Sequence, residues 1–266
     1  MIRSNTFYTP VGLLVVKHLG HGSVQLNWEG MYIYVDPYDE VFDYTGMPKA
    51  DIILLTHAHT DHYDCAALKK IVTPNTEFVV SKGVETCLVN DLTKIRLNVD
   101  DNELNVDPST TLENMTKTIN CIKFCKINVL KNGESDKIRG IDILAVPAYN
   151  VNQKRDNGNP FHLKGEGNGY ILTFGDFKIY FAGDTELIPE MVVARGADIA
   201  FLPKNLPYTL SDEAFIEAAN MLRPKNLIPV HYFEIDPVKL VNGLDTGICL
   251  YVDGVHYTNK LADLED

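Results

Sequence analysis

The chain repeats one order of structural elements in its two halves, and this repeat constrains the fold more than any other feature of the sequence. Residues 24–36 and 170–184 each contain an apolar run, a two-residue turn with glycine, a second apolar run and a terminal aspartate. Glycine-containing pairs between apolar runs are typical of tight hairpin turns. Each half therefore predicts a β-hairpin, and the repeat makes Asp36 the expected counterpart of Asp184.

The repeat extends beyond the hairpins. Each half continues with an Ala-Asp pair and an apolar run, then a helical pattern, then a closing apolar run: residues 50–56, 64–72 and 77–81 in the first half, and 197–203, 211–222 and 227–231 in the second. The apolar runs predict buried strands, and Ser211 with Glu213 and Ala214 favours a helix start in the second half. Because two such halves can bury their sheets against each other with the helices outside, the sequence predicts an α/β fold.

Length and composition indicate one domain. With 266 residues and 45% hydrophobic content, the chain can bury one large core, so residues 1–266 are predicted to form a single domain. The polar segment at about 90–125 interrupts the repeat. We therefore expect it to be an insertion between the two halves.

The charge and the cysteines limit the partners and the compartment. The formal net charge is −12, and such an acidic chain has no general attraction to nucleic acid or to anionic membranes. We therefore expect a small-molecule substrate, no nucleic-acid partner and no membrane partner, while homo-oligomer formation stays open. Five cysteines without a paired spacing, and an N-terminus without a leader pattern, favour the reducing cytoplasm.

A cluster of metal-ligating residues follows the apolar run 52–55. His57, His59, Asp61 and His62 occur within six positions, where a strand ends. In an extended segment, residues two apart point the same way, so His57 and His59 can face one ion. Asp61 and His62 follow as the chain turns and can face a second. Imidazole and carboxylate ligands suit zinc, manganese or iron, so we expect one or two divalent ions, with Zn²⁺ foremost.

This cluster resembles the His-x-His-x-Asp-His signature of the metallo-β-lactamase-fold hydrolases. The resemblance covers about residues 15–233 apart from the insertion, and it includes a Gly-Asp-Thr motif at Asp184 and a histidine, His231, after the last predicted strand. It implies a four-layer αββα sandwich, in which Asp184 bridges two ions and His231 is the last ligand. Within the superfamily, the chain looks closest to the branch that includes the ascorbate-phosphate lactonase type.

One ligand position departs from the family pattern. Most members carry a histidine in a Pro-Ala-x-His context, whereas the corresponding segment here, residues 147–150, ends in Asn150. An amide oxygen is a weak zinc ligand beside neutral imidazole. Asn150 itself or His162 from the following loop could complete the position, and the sequence leaves the two open.

Other residues near the same strand ends are expected to support the site. Asp36 is expected to orient a ligand histidine through its second ring nitrogen, and His21 either does the same or is an ordinary turn residue. Lys204 begins the segment that replaces the ligand cluster in the second half. The candidates for substrate contact are Tyr149, Asn150, Lys204, Asn205 and Tyr208.

The resemblance implies a hydrolase. Divalent ions lower the pKa of a bound water from 15.7 towards ~7, and the resulting hydroxide would cleave a small ester, lactone or phosphodiester. His57 and His59 would hold one ion, and Asp61, His62 and His231 the other, with Asp61 and Asp184 as the catalytic carboxylates. Two alternatives stay open: an iron-dependent oxygenase on the same scaffold, and a metal-binding protein with little catalysis, which the departure at Asn150 motivates.

Overall fold

The structure is a computed structural model that describes residues 4–88, 122 and 124–259. The predicted insertion at about 90–125 lies outside these residues, except at its C-terminal end. Among the described residues, no helix combines the length and the apolar character needed to span a membrane.

The strands form two sheets. The first sheet has seven strands in sequence order: β1 (Ser4–Thr9), β2 (Gly12–Gly20), β3 (Ser23–Trp28), β4 (Met31–Val35), β5 (Ile52–Leu55), β6 (Glu77–Val80) and β7 (Lys126–Val129). The second sheet has eight strands, also in sequence order: β8 (Ser135–Ile138), β9 (Ile141–Ala148), β10 (Gly167–Phe174), β11 (Phe177–Phe181), β12 (Ile199–Pro203), β13 (Asn226–Val230), β14 (Cys249–Val252) and β15 (Val255–Thr258).

Each sheet begins with an antiparallel meander and continues with parallel strands. In the first sheet, β1 to β4 are antiparallel and β4 to β7 are parallel. In the second sheet, β8 to β11 are antiparallel, β11 to β14 are parallel, and β15 pairs antiparallel with β14. The predicted hairpins are β3–β4 and β10–β11.

The helices begin where the sequence predicts. Helix α1 spans Cys65–Ile71, and the Asp64 carboxylate caps it by accepting a hydrogen bond from the Ala66 amide. Helix α2 spans Asp212–Leu222, and the Ser211 hydroxyl caps it in the same way. The remaining helical segments are residues 82–88, a 3₁₀ helix at Pro189–Ala194 and helix α3 at Pro237–Gly243.

Three apolar clusters establish four layers. The central cluster contains residues of both sheets, including Leu26, Leu172 and Phe174, so the sheets pack face to face. A second cluster packs α2, α3 and the 3₁₀ helix on the outer face of the second sheet, and a third packs α1 on the outer face of the first. The αββα sandwich implied by the sequence resemblance is therefore confirmed.

Paired aspartates show that the two halves are structurally equivalent. The Asp51 carboxylate accepts a hydrogen bond from the Tyr32 amide at 2.9 Å, and the Asp198 carboxylate accepts one from the Lys178 amide at 2.8 Å. These carboxylates hold β4 and β11 to the start of β5 and β12, respectively. The Ala-Asp pairs of the repeat thus occupy matching places in the two sheets.

One detail of the predicted repeat is wrong. Ile33 pairs with Ile52 and Ile179 with Ile199, so the ladders align Asp36 with Ala182 rather than with Asp184. The backbone agrees, because the amides of Asp36 and Ala182 donate to equivalent carbonyls of β5 and β12. Asp184 therefore lies two residues further along the chain than the counterpart of Asp36.

We expect the central core to tolerate truncation poorly. Phe201 is buried and stacks on Phe181 with 4.6 Å between ring centroids, so Phe201→Ala should lower the free energy of unfolding by about 3–5 kcal/mol. Tyr8 is 87% exposed, and Tyr8→Ala should change it by less than about 0.5 kcal/mol. Urea unfolding of both variants measures the difference; equal effects would contradict this description of the core.

Candidate metal centre

The candidate ligands gather at one edge of the two sheets. His57 follows β5, Asp184 follows β11 and His231 follows β13, so the carboxyl ends of three parallel-paired strands bring them together. A tight turn, in which the amides of His62 and Tyr63 donate to the His59 carbonyl, returns the chain towards the same edge.

The first group of ligands consists of three histidines. Ligand atoms of His57, His59 and His162 lie within 4.8 Å of one another. His57 Nε2 is 3.0 Å from His59 Nδ1. Ligands held about 2.0–2.1 Å from a tetrahedral ion lie roughly 3.3 Å apart, so this spacing fits a shared cation. We call these residues the three-histidine group.

The second group combines a carboxylate with imidazoles. Asp61 Oδ2 lies 3.7 Å from His62 Nε2, 3.4 Å from His231 Nε2 and 2.9 Å from His21 Nε2. We call Asp61, His62 and His231 the aspartate group. His21 packs on His231, with ring centroids 3.9 Å apart, and its carbonyl accepts the His231 amide. The structure thus places His21 beside the ligands, where it holds both Asp61 and His231.

Asp184 lies between the two groups. Its Oδ2 atom is 3.3 Å from His162 Nε2 and 3.1 Å from His231 Nε2, and its Oδ1 atom is 3.6 Å from His62 Nε2. The side chain is buried. One carboxylate therefore faces both groups, which is the geometry that the predicted bridging role requires.

Asp36 orients two of the histidines. Its Oδ2 atom accepts from His62 Nδ1 at 2.8 Å and from the Thr56 hydroxyl at 2.6 Å. Because that hydroxyl donates to Asp36, it can only accept from His57 Nδ1, 3.0 Å away. Both imidazoles then carry their proton on Nδ1 and direct the Nε2 lone pair into the site. This arrangement matches the orienting role predicted for Asp36.

The structure distinguishes Asn150 from His162. His162 Nε2 faces Asp184, whereas Asn150 lies one step behind and its Oδ1 accepts from both the backbone amide and Nδ1 of His162, each at 2.7 Å. The Asn150 amide group donates to the Tyr208 carbonyl and to Glu186. His162 is therefore the residue placed beside the other candidate ligands, and Asn150 holds it there through two hydrogen bonds.

Buried nitrogen atoms without hydrogen-bond partners indicate that these residues fit a cation. The Nε2 atoms of His62, His162 and His231 are buried, and none makes a hydrogen bond among the described residues, although Asp184 lies 3.1–3.6 Å away. Leaving a buried polar atom unpaired costs about 1–3 kcal/mol. Three such atoms converge on one carboxylate, and binding of metal ions by these atoms would compensate for this cost.

The aspartate group favours positive charge. Burial opposes ionisation of His231, but Asp184 and Asp61 outweigh burial and raise its pKa to about 10. Burial likewise opposes the charge on His62, yet Asp184 contributes to a raised pKa there too. Burial would also raise the pKa of Asp184, but His231 and His62 hold it well below its usual range. A divalent cation would replace the protons that these imidazoles otherwise bind.

The three-histidine group favours neutral imidazoles. Burial and the neighbouring His62 hold the pKa of His57 well below its usual range. Burial and His162 lower the pKa of His59 to about 4. Because only a neutral imidazole offers a lone pair, these histidines are ready to bind metal at neutral pH.

Two glycines allow the close packing around the ligands. Gly183 has φ +65°, and a Cβ atom there would lie 2.7 Å from the carbonyl oxygen of Asn168. Only glycine therefore lets the chain turn into Asp184 at this point. At Gly22, a Cβ atom would lie 3.0 Å from His62 Cε1, so this imidazole packs directly on the backbone.

Two of the residues predicted to contact the substrate, Lys204 and Tyr149, direct their polar atoms away from the ligand groups. Lys204 does not face the site, because its ammonium pairs with Asp212 at 2.7 Å. The Tyr149 hydroxyl also turns away and lies 3.2 Å from the Glu190 carboxylate. Both follow strand ends, but local carboxylates on the helical layer attract them outwards.

The other predicted rim residues line the cleft beside the ligands. Asn205 Nδ2 lies 3.4 Å from His231 Nδ1, and Tyr208 is 41% exposed. Two further residues were not predicted. Arg155 also lines this cleft, and the buried Glu186 holds the loop that carries Arg155. Glu186 directly follows the Gly-Asp-Thr motif, which was its only sequence signal, whereas Arg155 belongs to no motif or periodic pattern.

Comparisons with known proteins find similar sequences. A family model described as the beta-lactamase superfamily domain matches residues 15–231. A UPF0173 metal-dependent hydrolase from Thermus thermophilus is 28% identical over 242 residues, covering 85% of this chain and 87% of the relative. Another from Listeria welshimeri is 30% identical over 206 residues, covering 74% of this chain and 76% of the relative.

Solved structures show the same fold. A crystal structure assigned as a metal-dependent hydrolase from Parabacteroides distasonis is 36% identical, with a TM-score of 0.75 over 96% of this chain and all of the other. Igni18, a metallo hydrolase from Ignicoccus hospitalis, is 21% identical, with a TM-score of 0.63 over 92% of this chain and 97% of the other. At that identity, the second similarity concerns the fold alone.

We expect Asn150→Ala to weaken metal binding at the three-histidine group by about 10–100-fold, because His162 loses the acceptor that orients it. The aspartate group should keep its ion. Metal content after dialysis against graded chelator concentrations, measured by elemental mass spectrometry, checks this. Asn75→Ala, in an exposed loop, is the matched control. Unchanged occupancy in Asn150→Ala, or equal loss from both groups, would contradict the assignment.

Proposed function

We propose a mechanism from the premise that the chain belongs to the beta-lactamase superfamily and is a metal-dependent hydrolase. In this proposal, it hydrolyses a small ester, lactone or phosphodiester at a centre of two divalent ions, with Zn²⁺ as the expected metal. The observation that carries the proposal is the position of Asp184, whose two oxygens face the three-histidine group and the aspartate group at once.

The residues present would hold two ions. His57, His59 and His162 would hold the first, Asp61, His62 and His231 the second, and Asp184 would contact both. Such ions supply a hydroxide nucleophile at neutral pH and polarise the oxygen of the bond to be cleaved. The orientation of the ligands comes from the chain itself, through the hydrogen bonds of Asp36 and Asn150.

Asp61 is the carboxylate placed to handle a proton. Its side chain is 31% exposed, whereas that of Asp184 is 4% exposed, so Asp61 is the more accessible of the two carboxylates that line the cleft. His21 Nε2 lies 2.9 Å from Asp61 Oδ2 and holds that oxygen in place. Asp61 would accept the proton from the attacking water and deliver it towards the leaving group.

The size of the cleft supports a small substrate. The cleft beside the ligands has a volume of about 470 Å³, and a neighbouring cleft of about 350 Å³ lies on the other side of Arg155 and His162. Volumes of this order accommodate metabolites rather than a folded polymer.

The two alternatives have less support. His162 completes the three-histidine group, which removes the reason for expecting a metal-binding protein with little catalysis. Nothing in the described residues favours oxygen chemistry over hydrolysis with the same ligands, so the metal itself separates these functions. Iron together with oxygen consumption would favour the oxygenase.

Metal content tests the dinuclear centre. Protein purified without chelator or added metal should hold two equivalents of zinc, and His162→Ala should hold one, because only the three-histidine group loses a ligand. Elemental mass spectrometry measures both. A single equivalent in the unchanged protein would contradict the proposal of two ions.

Asp61→Asn tests the catalytic assignment. On whichever ester, lactone or phosphodiester the zinc-loaded protein hydrolyses, kcat should fall by about 10²–10⁴-fold, because the amide cannot accept the proton. Asp142→Asn is the control, since this carboxylate lies 59% exposed on β9 and pairs with Lys137. Full turnover by Asp61→Asn, with both ions retained, would exclude this role.

A further inference from the structure

An arginine, Arg155, lies over the three-histidine group. Arg155 lines both clefts, and its Nη2 atom is 3.5 Å from His59 Nε2. His59 presents its other nitrogen, Nδ1, to His57, so Nε2 is the outward atom. The guanidinium is therefore one imidazole ring away from the ligand atoms, on the side from which a substrate enters.

The donors of Arg155 are largely unused. Its partners are His59 Nε2 and the Phe161 carbonyl, each 3.5 Å from Nη2 and so at the outer limit for a hydrogen bond, and the Phe161 ring at 5.0 Å from its centroid. Within the described ranges, no carboxylate pairs with it. Since a guanidinium has five N–H donors in a planar fork, most of them stay available to a ligand.

Two lysines on neighbouring segments are neutralised. Lys164 pairs with Glu190 at 2.7 Å, and Lys204 pairs with Asp212 at the same distance. The whole chain carries a net charge of −12, so it attracts no anions in general. Arg155, which has no carboxylate partner among the described residues, is thus a local exception at the mouth of the clefts in an acidic protein.

The loop holds this arginine in a fixed place. The buried Glu186 carboxylate accepts from the amides of Asn152 and Gln153, which anchors the start of the loop. Further along, the Arg155 amide donates to the Asn159 carbonyl at 2.8 Å, which closes a tight turn. Anchoring of this kind lowers the entropic cost of binding a ligand.

Aromatic side chains lie beside the guanidinium. The ring of Phe161 meets that of Tyr208 edge to face, with 4.9 Å between centroids. Phe233 is 80% exposed and lines the cleft next to the ligands. This wall offers apolar contact to a part of the substrate that carries no charge.

We propose that Arg155 binds an anionic group of the substrate, a carboxylate or a phosphate, while Phe161 and Tyr208 contact its apolar part. The proposal rests on the proposed hydrolase function and narrows its substrate class to small organic anions. In this proposal, Arg155 determines which substrates bind, and the bond to be cleaved lies on the side of the guanidinium that faces Asp184. The guanidinium fork suits both carboxylate and phosphate oxygens.

Binding of two probes to the metal-loaded protein tests this assignment. Phenyl phosphate and phenylacetate share an apolar ring and differ in the anionic group, and calorimetry measures the Kd of each. Arg155→Gln should raise the Kd of at least one probe about tenfold, because a charged hydrogen bond is lost. The probe with the larger loss identifies the preferred anion.

Lys154→Gln is the matched control. It removes the same charge from the adjacent residue of the same loop, but Lys154 lines neither cleft. Its effect on Kd should be less than about twofold. Equal losses in the two variants, an unchanged Kd in Arg155→Gln, or no binding of either probe to the unchanged protein would overturn the assignment.

A kinetic experiment separates this inference from the proposed function. The 4-nitrophenyl monoester of succinate carries a carboxylate, and 4-nitrophenyl 4-methylpentanoate has nearly the same shape without charge. Arg155→Gln should raise KM about tenfold for the charged ester only. If neither ester is hydrolysed while the probes still bind through Arg155, ester hydrolysis fails and the anion site stands. Equal kinetic losses on both esters would count against the anion site.

Discussion

A buried carboxylate among histidines is the interaction on which the rest of this structure depends. Asp184 is almost fully buried and lies 3.1–3.9 Å from nitrogen atoms of four histidines: His57, His62, His162 and His231. Burying one carboxylate with several imidazoles is costly unless a cation or shared protons compensate. The fold places these groups at the ends of β5, β11 and β13, and Gly183 lets the chain turn sharply there. The scaffold therefore concentrates polar groups at one edge and keeps the remaining core apolar.

The two halves use the same edge for different purposes. After β5, the chain continues directly into His57 and the other ligands of the first cluster. At the equivalent position after β12, it continues into Lys204, whose charge is neutralised by Asp212 in helix α2. The first half thus supplies four of the candidate ligands from one short segment, while the second supplies His162, Asp184 and His231 from separate loops. The repeat of structure is therefore not a repeat of chemistry, because each group combines residues of both halves.

Much of the fold could be predicted from local sequence signals. The hairpins, the buried strands and the starts of α1 and α2 depend on residue periodicity and on caps such as Asp64 and Ser211, which act over a few residues. The first ligand cluster could be predicted for the same reason, because its members are close in sequence. The true counterpart of Asp36, which is Ala182, could not be predicted. Strand register is set by pairing between distant segments, and it differs by two residues from the apparent repeat.

The conformation of the loop that follows β9 could not be predicted from local sequence signals, because it depends on a carboxylate that is distant in the sequence. Glu186 accepts hydrogen bonds from the side chain of Asn150 and from the amides of Asn152 and Gln153. With its amide donors engaged there and at the Tyr208 carbonyl, Asn150 has only its oxygen left, and that oxygen binds His162. The asparagine that departs from the family pattern thus lies behind His162 and holds it beside the other histidines. The same anchored loop carries Arg155 to the mouth of the cleft.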